Sequence, residues 1–147
     1  MPETVSVEIQ HSYAAPVERV FDAWLDPALI GGFLFGPHLR NEELLSADID
    51  ARVGSRFSFK VRRDGQVLDH KGKYFVIDRP HTLSFSWGVN EEDGVSRVTL
   101  TFTPTATGCD LHLTHLMAAK WADWKDKIAA GWRKIVSDLD TTLRQIA

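Results

Sequence analysis

Cysteine is nearly absent from this sequence, and long apolar runs are missing altogether. Cys109 is the only cysteine among 147 residues, so no intramolecular disulfide can form and a reducing compartment is the simplest interpretation. No apolar run approaches the ~20 residues that a membrane-spanning helix requires. Residues 1–5 lack the basic segment followed by an apolar one that marks a secretory signal. We therefore expect a cytoplasmic protein with no membrane partner.

The sequence also lacks a surplus of positive charge and the usual spacings of metal ligands. A formal net charge of −3 argues against a nucleic-acid partner, because such proteins carry clustered basic surfaces. His112 and His115 are three residues apart in a strand pattern, so their side chains point to opposite faces. No Cys-x-x-Cys or His-Glu-x-x-His spacing occurs. The sequence predicts neither a metal site nor a cofactor.

Catalytic motifs are missing as well. There is no Gly-x-Ser-x-Gly and no glycine-rich phosphate-binding loop. Cys109 falls on the apolar side of a strand pattern, which favours a buried, inert thiol. We predict no catalytic residue, and we expect a protein that is not an enzyme.

The N-terminal quarter predicts one strand and two helices. Residues 5–13 alternate between apolar and polar side chains, as in a half-buried strand, and residues 17–25 carry apolar residues at helical spacing. Asp26-Pro27 ends the first helix and starts another, with Asp26 as the N-cap. Gly31-Gly32 should break this second helix within about a turn.

The middle of the chain predicts about six strands separated by turns. Asp64-Gly65 is typical of a tight hairpin. Phe75 and Ile77 interrupt the alternation of their strand, which predicts either a bulge or burial on both faces. The stretch from Asn90 to Gly94 predicts a polar loop. Short turns favour antiparallel neighbours, because parallel pairing needs longer crossovers. The strand patterns centre on residues 45–49, 57–61, 67–77, 83–87, 98–102 and 109–115.

The last stretch, Asp123 to Ala147, predicts a long amphipathic helix. Gly131 should let this helix approach a sheet closely, and Trp132 should decide how much space is left between them. The spacing of its apolar residues gives one continuous stripe of Ile128, Trp132, Ile135, Leu139, Leu143 and Ile146.

These elements predict a single α+β domain over residues 1–147. With 44% hydrophobic residues, the chain can bury a sizeable core of its own. Only the last helix is long enough to cover so wide a sheet. We expect a curved antiparallel sheet of about six to seven strands, wrapped around the C-terminal helix, with two short helices after the first strand.

The order of elements resembles the helix-grip fold of the START-like (SRPBCC) superfamily, in the branch named for the activator of the heat-shock-protein-ninety ATPase, C-terminal-domain form. Residues 33–37 depart from that pattern, because phenylalanines stand where relatives carry tryptophans. The resemblance implies an interior cavity whose mouth lies near this segment. The motifs that carry the resemblance are Ala15-Pro16 through Trp24 and Asp26-Pro27, Gly72-Lys73-Tyr74 through Trp87, Ser96 to Thr99, Leu111 to His115, and Gly131-Trp132 with Val136 and Leu139.

Aromatic residues are the most informative set for a site. They can fill a core or line a cavity, and an unfilled void of ~300 Å³ would cost about 7 kcal/mol. We therefore expect a small or split cavity. The residues predicted to line it are Phe33, Phe57, Phe59, His70, Tyr74, Phe85, Trp87, Phe102, His115, Trp124, Ile128 and Trp132.

Three histidines share the predicted inward side of the strands. His11, His70 and His115 are expected to hydrogen-bond backbone or water groups inside. The alternative is that His70 or His115 is a polar contact in a ligand pocket.

Two functions remain open. The first is a binder of a small hydrophobic or aromatic molecule, held between the sheet and the C-terminal helix. The second, implied by the family name, is a protein-interaction module that acts as a chaperone co-factor or in a stress response. A hydrolase or cyclase rests on superfamily analogy alone.

Overall fold

The computed structural model describes residues 4–35, 42–89 and 96–145. Seven strands and three α-helices follow one another in the predicted order, and a short 3-10 segment precedes the last helix. The elements are β1 Thr4–Tyr13, α1 Val17–Ala23, α2 Pro27–Phe33, β2 Glu42–Ile49, β3 Arg56–Arg63, β4 Gln66–Asp78, β5 Thr82–Val89, β6 Ser96–Pro104, β7 Cys109–Ala118, the 3-10 segment Ala119–Trp124 and α3 Lys125–Gln145.

All seven strands form one antiparallel sheet in the order β1-β7-β6-β5-β4-β3-β2. The connection from β1 to β2 carries α1 and α2, so the first and second strands become the two edges. The helix-grip α+β fold is thereby confirmed. Outside the described residues lie Gly36-Pro37, the predicted loop Asn90 to Gly94, and Ile146 at the end of the apolar stripe.

Helix α3 packs against the inner face of the sheet and is held by hydrogen bonds from β1 and α1. Tyr13 Oη of β1 donates a hydrogen bond to Val136 O at 2.7 Å, and Arg19 Nη2 of α1 donates to Leu143 O at 3.1 Å. The predicted stripe is confirmed from Trp132 to Leu143, whereas Ile128 is only half-buried. The buried face consists of Ala129, Trp132, Ile135, Val136, Leu139, Thr142 and Leu143.

Helix α2 begins as predicted and ends later than predicted. Asp26 is its N-cap, and Asp26 Oδ1 accepts from Ala28 N at 2.9 Å. Gly31 and Gly32 do not break the helix, which continues to Phe33. The reason is tertiary: the missing side chain of Gly32 lets α3 come close, and Thr142 Oγ1 donates to Gly32 O at 2.9 Å.

The glycine of α3 has no such role. No atom outside the helix lies within 4 Å of where a Cβ of Gly131 would stand, among the residues described. At Gly32 a Cβ would meet Thr142 Oγ1 at 3.1 Å. The prediction that Gly131 permits close approach is therefore wrong, and the close helix contact is made at Gly32.

Two bulges decide which side chains face inward. The predicted bulge in β4 is confirmed by a register shift between Tyr74 and Val76, which leaves Phe75 40% exposed beneath the guanidinium of Arg97. A second bulge in β2 was not predicted. It lies between Leu44 and Ser46 and leaves Leu45 39% exposed.

Within the described segments, no helix combines the length and the apolar character needed to cross a bilayer.

The two helical glycines give a paired prediction. Gly131→Ala should raise the free energy of unfolding by about 0.5–1 kcal/mol, because alanine favours the helix and its methyl meets open space. Gly32→Ala should lower that free energy by about 1 kcal/mol, because its methyl displaces Thr142. Urea denaturation of both variants measures the difference. A loss of stability in Gly131→Ala would contradict the open surroundings of that residue.

Candidate functional site

A small interior cavity lies between strands β3–β5 and the ends of helices α1 and α2. Its volume is about 10 Å³, which is the space of roughly one water molecule. A small cavity was expected, but its position differs: no residue of α3 lines it. The lining side chains are Trp24, Leu34, Phe57, Phe59, Tyr74, Phe85 and Trp87.

A larger depression of about 490 Å³ lies on the exposed side of α3. It is open to solvent and bounded by residues of one helix, so it encloses nothing and offers an apolar molecule no burial. The interior cavity is therefore the better candidate site. The depression is bordered by Ser137, Asp140, Thr141, Arg144 and Gln145.

Phe57 is the centre of the aromatic wall around the cavity. Its ring centroid lies 5.0 Å from that of Phe59, 5.4 Å from Tyr74 and 5.4 Å from Phe85. Trp87 completes the wall at 6.0 Å from Phe57. These rings meet because alternate positions of neighbouring strands share one face of the sheet. Close ring packing explains why so little space remains.

Five predicted lining residues do line the cavity, namely Phe57, Phe59, Tyr74, Phe85 and Trp87. Phe33 and Phe102 are buried elsewhere: Phe33 packs against Trp24 with centroids 5.1 Å apart, and Phe102 against Phe21 at 5.2 Å.

Trp24 and Leu34 line the cavity and were not among the predicted residues. The helical spacing of the segment that ends in Trp24 already placed this tryptophan on an apolar face. No local signal distinguishes Leu34 from its buried neighbours.

Trp124 was expected to face the sheet, and this prediction is wrong. Its side chain is 51% exposed, with Lys127 Nζ 5.6 Å from the ring centroid. The cause is a change of helix type: residues 119–124 form a 3-10 turn and α3 begins only at Lys125, so the spacing of four from Trp124 to Ile128 does not describe one helix face. Ile128 packs half-buried at the edge of the core and does not line the cavity.

His115 lies in a chain of hydrogen bonds beside the cavity. Trp132 Nε1 donates to His115 Nδ1 at 2.9 Å, and His115 Nε2 lies 2.6 Å from Ser96 Oγ. Ser96 Oγ donates in turn to Trp87 O at 3.0 Å. Because the indole N–H can only donate, His115 Nδ1 must accept, and the ring proton is assigned to Nε2.

This arrangement counts against nucleophilic chemistry at Ser96. A serine nucleophile needs an unprotonated imidazole nitrogen to take its proton. Here Nε2 carries the proton and donates towards Ser96 Oγ, and the serine proton points at Trp87 O. The Ser96–His115 pair therefore works as a structural link.

His70 occupies a polar corner next to the aromatic wall. Its ring is 5% exposed and lies 4.8 Å from the ring of Phe35 and 5.6 Å from that of Trp87. Arg63 Nη2 lies 3.4 Å from His70 Nε2. Arg63 also donates from Nε and Nη2 to Glu42 Oε1, at 3.0 and 2.6 Å, and the side chain of Glu42 is fully buried.

The inward histidines contact side chains where backbone or water groups were expected. His11 Nε2 lies 3.2 Å from Asp140 Oδ2, so it joins β1 to α3. His70 and His115 contact Arg63 and Trp132, as described above. These pairs connect elements distant in sequence, which the local pattern of a strand does not reveal.

Metal and thiol chemistry find no support in this region. In the part of the chain that the structure describes, no three histidine, cysteine, aspartate or glutamate side chains are grouped to hold a metal ion. Burial raises the pKa of the Cys109 thiol to about 11, which keeps it protonated near neutral pH. The predicted inert thiol is consistent with this environment.

A family model described as Activator of Hsp90 ATPase homolog 1-like protein matches residues 14–144. No curated protein sequence matches the chain.

Solved structures with the same fold include the AHSA1-like protein from Aeromonas hydrophila, which is 20% identical with a TM-score of 0.80 and covers 97% of this chain and 94% of that one. A protein from Rhodobacter sphaeroides is 21% identical with a TM-score of 0.84, covering 99% and 100% of the two chains. A protein of unknown function from Staphylococcus aureus is 17% identical with a TM-score of 0.84, covering 98% and 96%. At these identities the likeness establishes the fold alone.

The buried imidazole predicts a pH dependence of stability. Burial lowers the pKa of His115 to about 4 from an ordinary 6.5, so below pH 6.5 the unfolded state binds the proton first. The contribution of His115 to the free energy of unfolding is complete above pH 6.5 and falls by about 3 kcal/mol on the way to pH 4.

Urea denaturation between pH 4 and pH 8 measures this effect, with His115→Gln as the control that carries no titrating group. The difference in stability between the parent and the variant should shrink as the pH falls. Two parallel curves would contradict the prediction.

Proposed function

The chain belongs to the family of Activator of Hsp90 ATPase homolog 1-like proteins, and we propose that it binds a small hydrophobic or aromatic molecule within the aromatic wall of strands β3–β5. The observation that carries the proposal is the composition of the cavity lining. Six of its seven residues are aromatic, and the seventh is Leu34. Predominantly apolar lining with a few polar groups is typical of small-molecule sites.

Binding requires the cavity to open, because about 10 Å³ holds no organic molecule. Trp87 is the half-buried member of the lining, and Leu34 is its one aliphatic side chain. Both can change rotamer without breaking a backbone hydrogen bond of the sheet. We infer that an incoming molecule displaces these two side chains and packs against Phe57 and Phe59.

Two leucine variants of matched chemistry test the position of the site. Leu34→Phe should fill the cavity at a cost of about 1–3 kcal/mol in stability. Leu116→Phe lies on the opposite face of the sheet, where Leu116 is 42% exposed, and should bind as the parent does.

The measurement is a thermal-shift screen of small aromatic and lipid-like compounds. A compound at about 100 times its Kd should stabilise the parent by about 2.7 kcal/mol. We expect its effect to persist in Leu116→Phe and to vanish in Leu34→Phe. The proposal fails if no compound stabilises the parent, and the site is misplaced if Leu34→Phe still binds.

The family description and one exposed surface favour a second candidate, a co-factor of a chaperone ATPase. Trp124 is 51% exposed, and Lys127 lies over its ring; Trp121 is half-buried with Lys120 Nζ 5.6 Å from its ring centroid. Exposed tryptophans are favoured anchors in protein interfaces. Such an anchor would suit an acidic surface, because each ring has a lysine beside it.

Chaperone ATPase turnover with and without the protein tests this candidate. We expect stimulation, and we expect Trp124→Ala to weaken binding by about 1–2 kcal/mol because it removes the anchor. Val53→Ala, at a residue that is 63% exposed in a turn, is the matched surface control. An unchanged turnover rate would rule out the second candidate.

A further inference from the structure

One buried hydrogen-bond donor in the cavity wall has no acceptor among the residues that the structure describes. Trp24 is 3% exposed and lines the cavity, and its Nε1–H has no hydrogen-bond partner in the segments that the structure describes. Buried polar groups are nearly always paired, because desolvation without a partner is unfavourable. An unpaired indole N–H at a cavity therefore calls for an explanation.

Packing within the protein explains it only in part. The ring of Phe33 stands at 77° to the indole with centroids 5.1 Å apart, and even an N–H donated to a ring face is only a weak hydrogen bond. A water molecule suits the cavity poorly, because buried waters make about three hydrogen bonds and the wall is otherwise formed largely by rings. A ligand oxygen on an otherwise apolar molecule needs only one hydrogen-bond donor. The rest of that molecule would be buried among the aromatic rings.

The charge that the cavity can accept narrows the chemical class of the ligand further. A carboxylate buried against one neutral N–H would be strongly unfavourable. Arg63, which reaches the aromatic wall through His70, already donates from Nε and Nη2 to the buried Glu42. The cavity thus offers a largely apolar wall, in which the neutral N–H of Trp24 is the buried donor that lacks a partner among the described residues.

We propose that the ligand of this cavity is a neutral apolar molecule with a carbonyl oxygen, a ketone, aldehyde or lactone, and that Trp24 Nε1 donates to that oxygen. This inference rests on the proposed function and adds the chemical class and its specificity residue. Trp24 is thereby a binding residue that supplies a hydrogen bond, whereas Phe57, Phe59 and Phe85 contribute only apolar surface.

Two probes of nearly identical shape separate the hydrogen bond from apolar burial. Acetophenone carries a carbonyl oxygen, and α-methylstyrene carries a methylene group in its place. Acetophenone should bind the parent about tenfold more tightly, which corresponds to about 1.4 kcal/mol. Benzoate, the ionised analogue, should bind at least about tenfold more weakly than acetophenone.

Matched tryptophan variants assign the effect to one side chain. Trp24→Phe should abolish the preference for acetophenone over α-methylstyrene. Trp124→Phe, at an exposed tryptophan, should preserve it. In a ¹⁵N-labelled sample the indole N–H signal missing from Trp24→Phe identifies Trp24, and this signal should move downfield with acetophenone and stay in place with α-methylstyrene.

The outcomes separate the two proposals. Equal binding of acetophenone and α-methylstyrene would overturn the carbonyl class and leave the apolar binding function standing. A preference that survives in Trp24→Phe would overturn the role of Trp24, and tighter binding of benzoate would overturn the neutral class. Binding of neither neutral probe would overturn both the carbonyl class and the proposed function.

Discussion

The hydrogen bond from Trp132 to His115 sets how the long helix sits against the sheet. Both partners are buried, and each would lose a necessary hydrogen bond if the helix turned or slid. The same bond leaves the proton on His115 Nε2 and thereby directs Ser96 towards Trp87. One contact thus fixes the helix, the tautomer of the imidazole and the end of strand β5.

The position of the helix in turn limits the interior space. The ring of Trp132 lies 5.6 Å from that of Trp87, so the helix closes one side of the aromatic wall. The remaining gap lies against α1 and α2, away from α3. The proposed binding function then depends on whether the side chains of Leu34 and Trp87 can move, since the sheet and α3 are held by paired polar groups. In our proposal the N–H of Trp24, which has no partner among the described residues, donates to the molecule that enters this gap.

Local features were predicted well where one or two residues are enough to determine the backbone conformation. The Asp26 cap, the Asp64-Gly65 turn with both residues at positive φ, and the β4 bulge follow from short-range sterics and hydrogen bonding. The roles of the glycines were assigned wrongly, because the neighbour that matters at Gly32 is Thr142, 110 residues away. Trp124 was misplaced for a different reason: a 3-10 turn shifts the phase of the helical pattern just before α3.

The sequence by itself determined the order of strands and helices and most of the inner face of the sheet, because alternation and helical spacing are properties of neighbouring residues. The family followed from the resemblance of its motifs. Five of the seven cavity-lining side chains followed from that alternation. Only the tertiary structure decided the volume of the cavity, the inclusion of Trp24 and Leu34, and the proton position on His115. These depend on distances between rings and polar atoms from separate elements, and a change of about 1 Å in such distances separates a filled core from an open site.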